Sequence, residues 1–343
     1  MDLKSSMSVT DSRNASLPSF LLMGSIGTDL SKTWIALLPF VLYFLSIFGN
    51  GLILFIVKTE RQFWEPMYLF LAMLAATDLC MNLTTLPTVL SVLWFDYRNM
   101  NFYACLTQLF IIHSLSLMGS GVLVAMSFDR YLAICYPLRY ASILHPLITK
   151  IGLASLIRSF CIMFPLPFLL NRLPYCNNIK LYHAFCYHPD VMNLACADIT
   201  INSTYGLVLV FCTFSMDSLL ILLSYVMILK TVVSIVSKEE GGKTLRTCVS
   251  HICSVLVFYV SLISLSFTHR YGMNGSPLLP LLMGLAHTLI PSALNPLIYS
   301  MNTKPIQKAI RKHVWGDTTK KAKVKHFAQG QNILAIGSLA FEN

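Results

Sequence analysis

Charge is what this 343-residue chain has least of. Asp, Glu, Lys and Arg together make up only 12% of it, and hydrophobic residues 55%. A soluble domain carries about a quarter charged residues, so a soluble globular protein is excluded and a multi-span membrane protein takes its place. Acidic residues are the scarcer half, 15 against 25 Lys and Arg, which leaves a net charge of +10. In a soluble protein that excess would suggest nucleic acid. Here the basic residues fall between and after apolar runs, so no nucleic-acid partner is expected and the lipid bilayer accounts for them. Repeats of fixed period and low-complexity tracts are missing. So are Gly-x-Ser-x-Gly, His-Glu-x-x-His and P-loop patterns and any His/Asp/Glu cluster at one depth, so neither an enzyme nor a cofactor is expected. Residues 1–33 lack the apolar core and small-residue cleavage site of a secretory signal peptide.

Long apolar runs, by contrast, are plentiful. A helix needs roughly 20 apolar residues to cross a bilayer, and seven stretches meet that: about 34–57, 67–93, 105–134, 151–170, 204–233, 247–267 and 277–300. All but the sixth contain Pro, Gly or a charge, which spanning helices tolerate when neighbours satisfy the backbone. An odd count with no matching broken helices in two halves argues against a transporter. Segments in or bordering the ends of spans one, three, five and seven hold 17 of the 25 Lys and Arg; the N-terminus and the other segments hold 7, and Arg158 lies within span four. The positive-inside rule then places the C-terminus in the cytoplasm and the N-terminus outside, as an odd span count requires. Residues 305–314, PIQKAIRKHV, start with Pro and are basic with an apolar side at Ile306, Ala309 and Ile310. They read as a short amphipathic eighth helix on the inner leaflet, followed by a polar, Lys-rich tail.

The ten cysteines divide in two. Cys80, Cys135, Cys161, Cys212, Cys248 and Cys253 fall in or at the ends of apolar runs, where a thiol behaves as a small hydrophobe. Cys105, Cys176, Cys186 and Cys196 fall on the outer side, where four thiols suggest two disulfides with three connectivities. Asn14-Ala15-Ser16 is a glycosylation sequon on the translocated end.

The most informative stretch is MSFDRYLAIC, Met126 to Cys135, where Asp129 and Arg130 stand side by side near the end of span three. Opposite charges at the edge of hydrocarbon are costly unless they pair or reach water, which marks a functional site. The stretch resembles the Asp-Arg-Tyr signature of rhodopsin-like G-protein-coupled receptors and, in its fuller form, that of olfactory receptors. Gly49-Asn50, Pro66-Met67-Tyr68 followed by LAATDL with Asp78, KTLRTCVSH from Lys243 to His251, and PSALNPLIY from Pro291 to Tyr299 match the same pattern at matching span positions. HPDVMNLACAD, His188 to Asp198, together with His269-Arg270 at the end of span six, resembles the fish-like class I branch, families 51 and 52.

The resemblance implies an all-α bundle of seven spanning helices with an eighth helix, divided into an extracellular 1–33, a receptor domain 34–300 and a cytoplasmic 301–343. It implies a plasma-membrane odorant receptor that raises cAMP through a stimulatory G protein, or a chemosensory receptor of the same kind acting outside the nose. Asp129, Arg130, Tyr131, Lys243, Asn295, Pro296 and Tyr299 would form the switch that receives the G-protein α-subunit. Asn295-Pro296 adds a physical reason, because Pro kinks a helix and leaves a carbonyl without its donor. The resemblance pairs Cys105 with Cys186, which leaves Cys176 for Cys196. The roughly 33-residue second outer loop then reads as a lid over the pocket.

Ligand-binding residues are expected at His113, His188, Ser266 and Arg270. Ser266 lies one turn inward of Arg270, and a fixed cation with a hydroxyl suits a short-chain carboxylic acid. Asp78 is an intramembrane carboxylate where related receptors bind sodium or hold a polar network. Many olfactory receptors carry a Glu nearby, but this chain has Gly119, which argues against a metal there. Asp217 has no partner assignable from the sequence. A last departure is Phe258-Tyr259-Val260-Ser261, where class I receptors end in Pro; losing that Pro restores a backbone donor and predicts a straighter span six.

Overall fold

The computed structural model describes residues 19–22, 29–175, 180–235, 238–271 and 278–315, with side chains described except at 29–35, 235, 238–247, 269–271, 302, 314 and 315. Seven helical segments are long and apolar enough to cross a membrane: Ala36–Thr59, Pro66–Trp94, Phe102–Cys135, Ile148–Asn171, Thr200–Ser234, Cys248–Thr268 and Leu278–Met301. Each coincides with one expected run. They lie in α1 (Asp29–Thr59), α2 (Pro66–Trp94), α3 (Phe102–Cys135), the pair α5 (Ile148–Met163) and α6 (Pro165–Asn171), α8 (Thr200–Ile235), α9 (Lys238–Tyr271) and α10 (Leu278–Asn302). Short helices α4 (Tyr140–Leu144) and α7 (His188–Asn193) sit in the connections, and α11 (Lys304–Trp315) follows span seven.

The ends of these helices follow their local sequence. Pro66 opens α2 at a position where its missing N–H is no loss. Asn101 caps α3, its side-chain oxygen accepting from the N–H groups of Tyr103 (2.9 Å) and Ala104 (3.4 Å). Pro165 separates α5 from α6 within span four.

Span three is the axle of the bundle, because α3 packs against α2, α5 and α8 and buries residues on every side. Small residues allow this. A Cβ placed on Gly121 would come within 3.2 Å of Ser155 Oγ on α5. Elsewhere large apolar side chains point outward, including Phe44, Leu222 and Ile263, each about 60% exposed or more. Such a belt would be an aggregation surface in water but suits lipid tails.

Two large apolar clusters, one at each end, and two small ones fill the bundle among the described residues. The first gathers Phe20, Phe102, Leu109, Phe185, Val191 and Leu285 around the Cys105–Cys186 disulfide. The second gathers Ile53, Phe63, Phe70, Met126, Leu144 and Tyr299 near Asp129 and Arg130, and docks α11 through Ile306 and Ala309. The expected amphipathic eighth helix is therefore present. Its Lys312 and His313 reach Glu60, which follows span one. The Lys312 ammonium beside Glu60 holds that carboxyl below the usual carboxylate range.

The disulfide end also carries a three-stranded sheet that an all-helical expectation does not contain. Strands β1 (Ser19–Leu22), β2 (Asn99–Asn101) and β3 (Lys180–Leu181) lie in the order β2-β1-β3. Phe20 opposes Met100 in the antiparallel pair, and Leu22 opposes Leu181 in the parallel one. Phe20 is fully buried, its ring 5.6 Å from those of Phe102 and Tyr175. One buried ring thus pins the segment before span one to the two loops at this end.

Candidate functional site

At the disulfide end, a polar cluster ties spans two and three to the loop before span five. Gln108 on α3 organises it. Its amide donates to the Thr84 carbonyl and to Thr88 Oγ1, both at 3.0 Å, and its oxygen accepts from the Cys186 N–H at 2.9 Å. The Cys105–Cys186 disulfide, Cα atoms 5.4 Å apart, ties the same loop to the top of α3. Cys196 is also disulfide-bonded, and Cys176, its expected partner, lies outside the described residues, as does Asn14. The loop is fixed internally by His183 Nδ1, 2.6 Å from Asp190 Oδ2, which also accepts from the Tyr182 N–H at 3.0 Å.

The expected ligand residues fall partly together. His113 Nδ1–H donates to the Leu109 carbonyl at 2.8 Å, which leaves Nε2 as the acceptor face of its ring. That ring stacks on Tyr187 at 5.6 Å and meets His188 edge-on at 6.4 Å. His113, Tyr187 and His188 therefore form one aromatic, hydrogen-bonding wall. Ser266 is half-buried on α9, and no hydrogen bond among the described residues joins it to that wall. The helix continues past Arg270 to Tyr271, but the Arg270 side chain lies outside the described residues.

At the opposite end, Asp129 is buried and held from two sides. Arg130 Nε lies 3.7 Å from its Oδ2, and Tyr140 on α4 donates to its Oδ1 at 2.7 Å. The two charges thus pair, as their position in the sequence requires. Tyr131 sits half-buried between the rings of Phe128 and Tyr136. His251, in the KTLRTCVSH stretch, locks three spans: its Nε2–H donates to the Leu123 carbonyl at 3.0 Å and its Nδ1 accepts from Tyr225 OH at 2.7 Å. Tyr225, His251 and Tyr299 all lie within the electrostatic reach of Arg130. The Lys243 side chain lies outside the described residues.

Span seven shows where its proline-freed carbonyl goes. Pro296 has no N–H to offer the carbonyl four residues back, that of Ser292. Asn50 Nδ2 fills the gap, donating to the Ser292 carbonyl at 2.8 Å and to the Ser46 carbonyl at 2.9 Å. The helices can approach this closely because residue 49 is Gly; a Cβ there would stand 2.8 Å from Pro296 Cβ. Beside this junction Asn295 donates to Asp78 Oδ2 at 2.9 Å, so Asp78 takes part in a polar network between spans two and seven. Among the described residues no group of three His, Cys, Asp or Glu could hold a metal.

Midway along the bundle lies the feature that sequence reading missed. Arg158 on α5 grips Asp217 on α8 with both guanidinium branches, at 2.8 and 2.7 Å. Asp217 also accepts from Ser120 at 2.7 Å, and Ser120 lies 3.0 Å from Tyr259 OH on α9. Four spans meet at one ion pair. The signal was available, since two lone opposite charges inside apolar runs are too costly to stay apart.

A family model described as "Olfactory receptor" matches residues 40–316. Among relatives from Homo sapiens, olfactory receptor 51G2 is 49% identical over 304 residues, covering 88% of this chain and 97% of that protein. Olfactory receptor 51B5 is 50% identical over 292 residues, covering 85% and 94%. In fold the chain resembles the crystal structure of squid rhodopsin, with a TM-score of 0.67 over 84% of this chain and 82% of that one at 17% identity. Seven spanning helices, the Asp129–Arg130 pair at one end and a disulfide-tied loop at the other thus belong to a multi-pass membrane receptor and not an enzyme, and the chain is a member of the olfactory receptor family.

Proposed function

We propose that this chain is a plasma-membrane odorant receptor that binds small acidic odorants at its disulfide end and activates a stimulatory G protein at its Asp129–Arg130 end, raising cAMP. Residues 1–33 then lie outside the cell, with Asn14 open to glycosylation and the Cys176–Cys196 pair tightening the lid. Residues 301–343 lie in the cytoplasm. The excess of Lys and Arg beside the odd-numbered span ends supports this orientation.

The observation that carries the reading is the cytoplasmic surface around Arg130. Arg130 is held by Asp129, itself held by Tyr140, and Leu138 in the same connection is 100% exposed. A Leu fully in solvent beside a caged cation suits docking by the α-subunit tail of a G protein. On activation spans six and seven shift, the His251–Tyr225 bond opens, and Arg130 with Lys243 faces the incoming tail. Tyr299 and the Asn295-Pro296 joint supply the second arrangement of span seven.

On the outer side, Ser266 and Arg270 serve as donor and anchor for a ligand carboxylate beside His188, while His113 Nε2 is placed to accept from a ligand O–H. Asp78 acts within the polar network, and no metal is assigned to it.

Cells displaying the chain, challenged with C2–C10 carboxylic acids and the matched alcohols, test the ligand class through cAMP. An acid response lost in Arg270→Ala at equal surface expression is expected. Responses that survive in that variant would remove Arg270 from the site.

A further inference from the structure

Span six has a serine where the class I pattern has a proline, and the structure gives that serine a partner in span seven. The helix α9 runs unbroken from Lys238 to Tyr271. A proline at 261 would remove an N–H and press its ring against the carbonyl four residues back. Ser261 keeps the N–H, and its hydroxyl donates to the Phe258 carbonyl at 2.8 Å. Such back-bonding weakly bends a helix. The same oxygen lies 3.3 Å from His287 Nδ1 on α10. The single hydroxyl proton is already given to Phe258, so the bond between the spans is donated by His287 Nδ1–H. The His287 ring also lies against Phe258, 6.3 Å between centroids.

His287 reaches further than this bond. It lines a cavity of about 30 Å³ together with Asp78, Asn295, Ser254 and Gly119. One side chain of span seven therefore bonds Ser261 on span six and lines the same cavity as Asp78 and Asn295. Those two elements must separate if span six swings outward.

We propose that Ser261 and His287 form a latch between spans six and seven that holds this receptor in its resting arrangement, standing in for the proline hinge that the chain lacks. Both are positioning residues. The latch itself follows from the geometry; its restraining role rests on the G-protein reading above.

Hydrogen–deuterium exchange on the full-length receptor in lipid nanodiscs tests the latch without a ligand, followed over residues 255–265 and 284–292. Ser261→Ala and His287→Phe are each expected to speed exchange in both segments by about 3- to 10-fold, the size of one neutral hydrogen bond. The double variant is expected to be no faster than either single one, and Ser261→Thr to restore the slow rate. Single variants that exchange like the parent, or a double variant showing the product of the two factors, would overturn the latch.

Nucleotide exchange on a purified stimulatory G protein tests the restraint. Basal exchange is expected to rise by a similar factor in Ser261→Ala and to return in Ser261→Thr. Loosened spans with unchanged basal exchange would overturn the restraining role. No exchange even with the parent receptor would count against the G-protein reading, and the hydrogen-exchange cycle would still decide the latch.

Discussion

Replacing Arg158 by Met asks what the ion pair at mid-membrane contributes. Asp217 is 1% exposed and accepts three hydrogen bonds, two of them from Arg158. Removing the guanidinium leaves a buried carboxylate with Ser120 as its remaining donor. Deleting one partner of a buried pair costs about 3–5 kcal/mol. The lower end applies here, because Ser120 stays and the carboxyl can escape by taking up a proton. A loss of about 3 kcal/mol lowers the midpoint of thermal unfolding by roughly 6–12 °C for a domain of a few hundred residues. Removing both charges together, as Arg158→Met with Asp217→Leu, leaves nothing stranded and should fall within about 1 kcal/mol of the parent, since apolar replacement of buried pairs is often neutral. Thermal unfolding of the three variants in nanodiscs, with surface abundance in cells, reads the cycle. If Arg158→Met were as stable as the parent, or the double variant lost the sum of the two single effects, the pairing account would be wrong.

Other perturbations have equally direct readouts. Asn50→Leu strands the Ser292 carbonyl and should cost about 1–3 kcal/mol in the same unfolding assay, while Gly49→Ala forces span one away from Pro296 and should reduce surface expression. Tyr140→Phe removes the hydrogen bond to Asp129, worth about 1.5–3 kcal/mol if the carboxyl is ionised; it should lower the unfolding midpoint by roughly 3–12 °C and raise basal nucleotide exchange. Leu138→Ser alters a residue fully exposed among the described residues, so unfolding should be unchanged while G-protein activation falls at least several-fold.

Much of the fold was legible because the bilayer imposes a strict rule. Only helices satisfy their own backbone in hydrocarbon, so seven apolar runs had to be seven helices. Asp129 with Arg130 and Asn295 with Pro296 were legible for a related reason, since each breaks that rule in a way that needs a partner. The partners were not legible. That Asn50 serves the Ser292 carbonyl, or that Arg158 meets Asp217, depends on how each helix is rotated about its axis, and sequence spacing within one helix says nothing of its rotation against another. The sheet was hidden because strands of two to four residues carry no readable alternation. His251 entered only as the last residue of the KTLRTCVSH match, and its depth and its two hydrogen bonds are what distinguish it.

The central claim is that a small ligand at the disulfide end frees Arg130 for a G protein at the other. Nucleotide exchange on a purified stimulatory α-subunit with its βγ partners, catalysed by the full-length receptor in nanodiscs, measures that directly when C2–C10 carboxylic acids are titrated in. Acid-dependent exchange is expected from the parent and its loss from Arg130→Ala, compared at equal amounts of folded receptor because the variant also strands buried Asp129. Acid-dependent exchange that persists undiminished in Arg130→Ala, or a properly folded parent that never accelerates exchange with any acid, would contradict it.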